Sequence, residues 1–246
     1  MTTENTIAKT KTKTRGRVVL RVMGIALISL IACLAVLHTI WKYSGSGRWQ
    51  LAIDQNGIQI YTMKSPGRSL ETFRAVTKVK TTLVSAVAAM KDSDIASCRD
   101  WIPGCATSLA IEPWDTQRLY GIYIFRVDVP APFSPREFLL KAQFSEDVRT
   151  NSVFVDVTAV PDRLPRTAGR MRVEDMHNRW RFTPAGDDEV EVELIENMDL
   201  GFPYFMLNHE APKGAYQLFS RLPILLNKDK YRNEKCDFLT VTSRRM

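Results

Sequence analysis

Three regimes of polar and apolar spacing follow one another along the chain. From Val22 to Trp41 twenty residues carry no charge, and Ser29, His38 and Thr39 are their only clearly polar members. At 1.5 Å per residue, a helix of that length crosses the ~30 Å hydrocarbon core of a bilayer, and it satisfies its own backbone groups there. Past residue 49 the spacing shortens to two. Val153, Val155, Val157 and Ala159 share one face of a predicted strand, and Phe138, Leu140, Ala142 and Phe144 share one face of another. Trp180 and Phe182 point away from Arg179 and Arg181, as Val190, Val192 and Leu194 point away from Glu189, Glu191 and Glu193. Steps of three and four then return. Tyr204, Leu207, Ala211, Ala215, Leu218, Leu222 and Leu225 form one apolar stripe, in which Pro212 and Pro223 are expected to kink or end turns.

These patterns predict strands over 49–53, 58–61, 70–79, 106–111, 119–129, 138–144, 153–160, 171–182 and 190–199, and short helices over 83–90 and 95–101. Asn56-Gly57 supplies the positive φ values of a tight hairpin. The Asp54-x-Asn56-Gly57 spelling lacks the downstream bidentate Glu of a calcium loop. Thr183 to Asp188 joins the last two strands into a hairpin, across which Arg179 and Arg181 are expected to face the glutamates. The expected architecture is α+β: a curved antiparallel meander with a C-terminal amphipathic helix over its concave face. Residues 1–21 read as a basic cytoplasmic arm, 22–41 as a transmembrane anchor, 42–48 as a linker, 49–230 as the folded domain and 231–246 as a tail.

Charge sharpens this division. Six of the 34 basic residues but one of the 27 acidic ones precede Lys42, leaving 28 against 26 in the remainder. The basic balance is therefore a topology signal, which keeps the N-terminus in the cytoplasm and sends the domain across the inner membrane as a single-pass protein. It gives no support for nucleic-acid binding, since no basic stripe with interleaved aromatics occurs past the anchor. A cleaved signal peptide fits less well, because the apolar run is long and ends without a small-x-small site. Leu30-Ile31-Ala32-Cys33 resembles the lipobox of bacterial lipoproteins, with Cys33 as the acylated residue, yet Leu34 to Trp41 stay apolar where a polar tether normally follows. An uncleaved anchor is the favoured reading.

Chemistry-bearing residues are sparse. Cys98 and Cys105 flank a Trp-Ile-Pro-Gly turn, a spacing compatible with a disulfide in an oxidising compartment or with two partly buried thiols. With Cys236, and with His177 and His209 past the anchor, they make no metal site. No nucleophile-elbow, zinc-protease or P-loop spelling is present, so neither catalysis nor a cofactor is expected.

From Trp49 to about Leu226 the chain resembles the START domain, the lipid-transfer module related to the steroidogenic acute regulatory protein. The resemblance rests on Trp49 with Asp54-Gln55-Asn56-Gly57-Ile58-Gln59-Ile60-Tyr61, and on Leu70-Glu71-Thr72-Phe73-Arg74. It extends through Pro130-Ala131-Pro132-Phe133-Ser134-Pro135-Arg136-Glu137-Phe138, Gly169-Arg170-Met171-Arg172 and Asp199-Leu200-Gly201-Phe202-Pro203-Tyr204, in that order.

The resemblance implies a helix-grip fold in which a tunnel between sheet and C-terminal helix holds one sterol, phospholipid or fatty acyl ligand beside the membrane, with 204–226 as a lid. Expected cavity and lid residues are Phe138, Leu140, Val153, Val155, Val157, Trp180, Phe182, Leu207, Ala211, Ala215, Leu218 and Leu222, with Arg136 as a polar contact. Sterol-binding members often carry a buried Arg–acid pair; six residues beyond Arg136 this chain has Ala142, and the facing strand offers Tyr123. The ligand's polar anchor is thus unassigned. A helix-grip enzyme of the cyclase or hydrolase kind, with His177 or His209 at the site, and a scaffold module with a filled interior are the alternatives.

Overall fold

Asn56 and Gly57 both adopt positive φ, 52° and 75°, and close the first hairpin between β1 (Gln50–Gln55) and β2 (Ile58–Met63). The computed structural model describes residues 3–232, 234 and 236, with side chains from Val18 onward. Ahead of the hairpin runs α1 (Thr3–Tyr43), longer than the predicted anchor at both ends. Its segment Val18–Tyr43 is long and apolar enough to cross a membrane, and its most apolar stretch is not buried against the rest of the protein.

After β3 (Thr72–Lys80) the chain crosses over through α2 (Leu83–Lys91) and α3 (Ile95–Trp101). Each helix starts on a side-chain cap: Thr82 accepts from the Ser85 amide, and Asp94 from that of Ser97. A meander follows in β4 (Cys105–Asp115), β5 (Tyr120–Val127), β6 (Arg136–Asp147), β7 (Ser152–Ala159), β9 (Asp175–Gly186) and β10 (Glu189–Asp199). The predicted strand over 171–182 is two elements: β8 (Met171–Arg172) breaks away and pairs parallel with β6. Strand β10 returns to pair with β3, giving the order β1-β2-β3-β10-β9-β7-β6-β5-β4. A meander alone does not predict that closure.

Helix α4 (Tyr204–Leu225) runs through both Pro212 and Pro223 without ending at either. It packs on β2, β3 and α3, and only its second half is deeply buried, through Phe219, Leu222 and Leu225. The core collects the inward faces of the strands, including Ile60, Val153, Val155, Phe182 and Val192, none of them exposed to solvent. Tyr231, on the short α5 (Asp229–Arg232), and Cys236 belong to the same core; of the expected tail 231–246, residues 233, 235 and 237–246 lie outside the described residues. On the outer face Arg181 meets Glu193 and Glu191 at 3.2 and 3.3 Å as expected. Arg179 does not join them: register pairs it with Ile195, and it turns to Asp156 and the Phe154 ring on β7.

Candidate functional site

Inward-facing residues of five strands and three helices converge on one largely apolar cavity of about 380 Å³. Its volume is at the low end of the roughly 300–1,000 Å³ of small-molecule sites. Strand β6 contributes Phe138, Leu140 and Ala142, β5 Tyr123 and Phe125, β7 Val157, and β9 Met176 and Trp180. Met90 and Trp101 close one side, and α4 reaches the void through Leu218. Trp180 stacks between Phe182 and Phe219, at 6.1 and 6.0 Å, and meets Trp101 edge-on, so it belongs to both the solid core and the cavity wall.

Of the residues singled out from sequence, Phe138, Leu140, Val157, Trp180, Leu218 and Arg136 line the void. Val153, Val155, Phe182 and Leu222 instead sit in the packed core and are not part of that lining, and Ala215 packs against the core from its edge. Leu207 and Ala211 lie on the half-exposed first half of α4, away from the cavity wall. His177 and His209 are exposed, one beside Asp156 and the other beside Lys213, so neither faces the cavity. Among the described residues no group of three His, Cys, Asp or Glu could hold a metal. Cys98 and Cys105 are joined by a disulfide that ties α3 to the start of β4. Cys33 is exposed on α1.

Arg136 is 2% exposed and held in place by its neighbours. Its Nε donates to the Leu200 carbonyl at 2.6 Å, another nitrogen donates to the Ser134 carbonyl, and the guanidinium lies 4.1 Å over the Phe202 ring. Next to it in sequence, Glu137 points out of the cavity into a buried ion network. It accepts from Arg172 at 2.7 and 3.0 Å, from Arg126 at 2.9 Å and from Thr167 at 2.6 Å. Solvent barely reaches Glu137. Burial alone would push its carboxyl up; the Thr167, Arg126 and Arg172 hydrogen bonds and the Arg172 charge outweigh burial and hold it at about 2. Arg163, Arg166 and Arg170 pair with Glu112, Glu174 and Asp128, which makes this arginine cluster structural.

Sequence reasoning passed over much of the wall, including two polar residues, Asn178 and Glu196. Both continue inward faces that the alternation defines: Trp180 and Phe182 lead back to Asn178, and Val192 and Leu194 lead on to Glu196. They are direct cross-strand partners. Glu196 lies deep among protein atoms, its remaining surface turned to the void, and burial pushes its carboxyl up to about 7.

The end of α1 is fastened to the domain beside the start of α4. The Trp41 indole donates to the Ser69 carbonyl at 2.8 Å, and Asn208 donates to the same oxygen at 3.1 Å. The Lys64 ammonium is caged by the carbonyls of Lys42, Ser44, Ser65 and Arg68. Desolvation there lowers its pKa, a shift that the Glu71 charge partly offsets.

No protein-family model matches the chain. An uncharacterized protein of Pseudomonas aeruginosa is 26% identical over 145 residues, 58% of this chain and 68% of that protein. Among solved structures, a STAR-related lipid transfer protein fragment from Xanthomonas axonopodis superposes with a TM-score of 0.67 at 24% identity, over 74% of this chain and 100% of that one. Human StAR-related lipid transfer protein 5 gives 0.60 at 16% identity, over 82% and 95%. The lipid transfer domain of human StarD13 gives 0.57 at 14% identity, over 77% and 91%. These likenesses show a START-type helix-grip fold.

Proposed function

We propose that this chain, which carries the START helix-grip fold, is a membrane-tethered lipid-binding protein that holds one hydrophobic ligand between its sheet and its C-terminal helices. The observation that carries the reading is the cavity itself: apolar on nearly every side, bounded by α3 and α4, in a fold shared with lipid transfer proteins. Apolar burial contributes about 25 cal/mol per Å², so an acyl chain or ring system is held there without covalent chemistry. Helix α1 serves as a single-pass anchor in the cytoplasmic membrane. Its basic N-terminal flank favours a cytoplasmic N-terminus, and a disulfide in the domain suits an oxidising exterior. The exposure of both histidines past the anchor weighs against the enzyme alternative.

The test uses the full chain in vesicles containing an alkyl-diazirine lipid. After irradiation, label on peptides carrying Leu218, Trp180 or Phe138 is the expected result. Label restricted to α1 would refute the cavity as a lipid site.

A further inference from the structure

The cavity wall carries one cation, Arg136, and two anions, Asp92 and Glu196. Arg136 is held by the Leu200 and Ser134 carbonyls. Asp92, at the opposite end, accepts from Tyr231 and Ser97 at 2.7 and 2.8 Å and pairs with Lys230. Glu196 makes no side-chain hydrogen bond or ion pair among the described residues, yet it faces an almost wholly apolar void. Its cross-strand partner Asn178 accepts from the Asn197 amide through Oδ1 at 3.3 Å, leaving the two Nδ2 hydrogens without a protein acceptor. A carboxylate set in such surroundings costs free energy unless something bonds to it, and directly paired side chains lie within about 5.5 Å at Cβ.

We infer that Glu196 and Asn178 form the polar anchor of the cavity, and that the ligand is a neutral lipid whose head is a hydroxyl. The inference rests on the lipid-binding reading of the same cavity. A hydroxyl donates one hydrogen bond and accepts others, which complements an acceptor on Glu196 beside a donor on Asn178. A fatty acid or phosphate head at this point would set a second anion directly against Glu196. An amine would satisfy Glu196 but would leave the Asn178 donor facing another donor. The raised carboxyl agrees: near neutrality Glu196 is partly protonated, and in either form it bonds a hydroxyl.

The experiment compares four photoreactive C18 probes on the full chain in vesicles at pH 7.5: an alcohol, the matching carboxylic acid, the matching amine and a headless hydrocarbon. Cavity labelling is read by peptide mass spectrometry. The alcohol is expected to exceed the acid about tenfold, the worth of one good hydrogen bond to a buried partner. In Glu196→Leu the ratio should fall close to one, while headless labelling persists and reports an intact cavity. In the isosteric Glu196→Gln, acid labelling should rise. Equal alcohol and acid labelling of the unaltered chain, or amine above alcohol, overturns the hydroxyl anchor but leaves lipid binding standing. If no probe, headless included, labels the cavity, the lipid-binding reading itself falls and takes this inference with it.

Discussion

The Trp41 indole lies 6.1 Å from the Tyr204 ring and within 16° of parallel to it, so the last turn of α1 rests on the first turn of α4. A helix fit to cross a membrane and a helix bordering the cavity therefore share a contact. Replacing Trp41 with Ala removes this stacking and the bond to Ser69, together about 2 kcal/mol. Protease cleavage within 44–48, in vesicle-bound protein, should then accelerate about tenfold. Unchanged cleavage would mean that the Lys64 cage alone fastens the junction.

Glu137 should be among the costliest positions to alter. Glu137→Ala strands the buried Arg172 guanidinium and should lose about 3–5 kcal/mol in denaturant melts at pH 7. The folded carboxyl titrates near 2 rather than at its ordinary 4.5. Its contribution is therefore complete above pH 4.5 and disappears as pH falls toward 2. The variant's stability should be flatter than the wild type's across that window.

Glu196 has the opposite sign. Its folded carboxyl titrates near 7, above the ordinary 4.5, so the fold binds the proton more tightly than the unfolded chain does. Stability should decline as pH rises from 4.5 to 7 and level off beyond. Thermal melts of Glu196→Gln should lack that decline. An identical decline in the variant would place its origin elsewhere.

Leu218 and Leu222 sit one turn apart on α4 but do different jobs. Leu222 is fully buried in the core, and Leu218 touches the void. Leu222→Ala should cost about 2–5 kcal/mol in denaturant melts. Leu218→Asp should leave most of the fold stability in place and remove cavity labelling by a photoreactive lipid. Full labelling of Leu218→Asp would detach α4 from the binding model.

Much of this architecture was legible because alternation is a local property. The inward faces of β6, β7, β9 and β10, the Asn56-Gly57 turn and the stripe on α4 all follow from neighbouring residues. What was not legible depends on distant partners. The pairing of β10 with β3 closes a separation of more than a hundred residues. Arg179 left its predicted partners because a strand on its other side offered Asp156. Core and cavity wall could not be separated by pattern: Val155 and Val157 share a face, yet Val155 is in solid packing and Val157 adjoins free space. Glu196 and Asn178 were within reach, since each continues an inward face by one more step. Both lie inside the predicted strands 171–182 and 190–199, but the inward faces were followed only through their apolar members.

Ser44 to Trp49 is all the backbone between α1 and β1, at most about 20 Å even if drawn straight, and Lys64 clamps part of it. An inserted chain would thus carry its binding chamber at a set height and bearing above the bilayer, unable to swing out as a shuttle on a long leash. Under the proposed lipid-binding reading, cargo bound for a distant surface would have to be collected in place by a second carrier, and the working range would be set by what reaches the chamber.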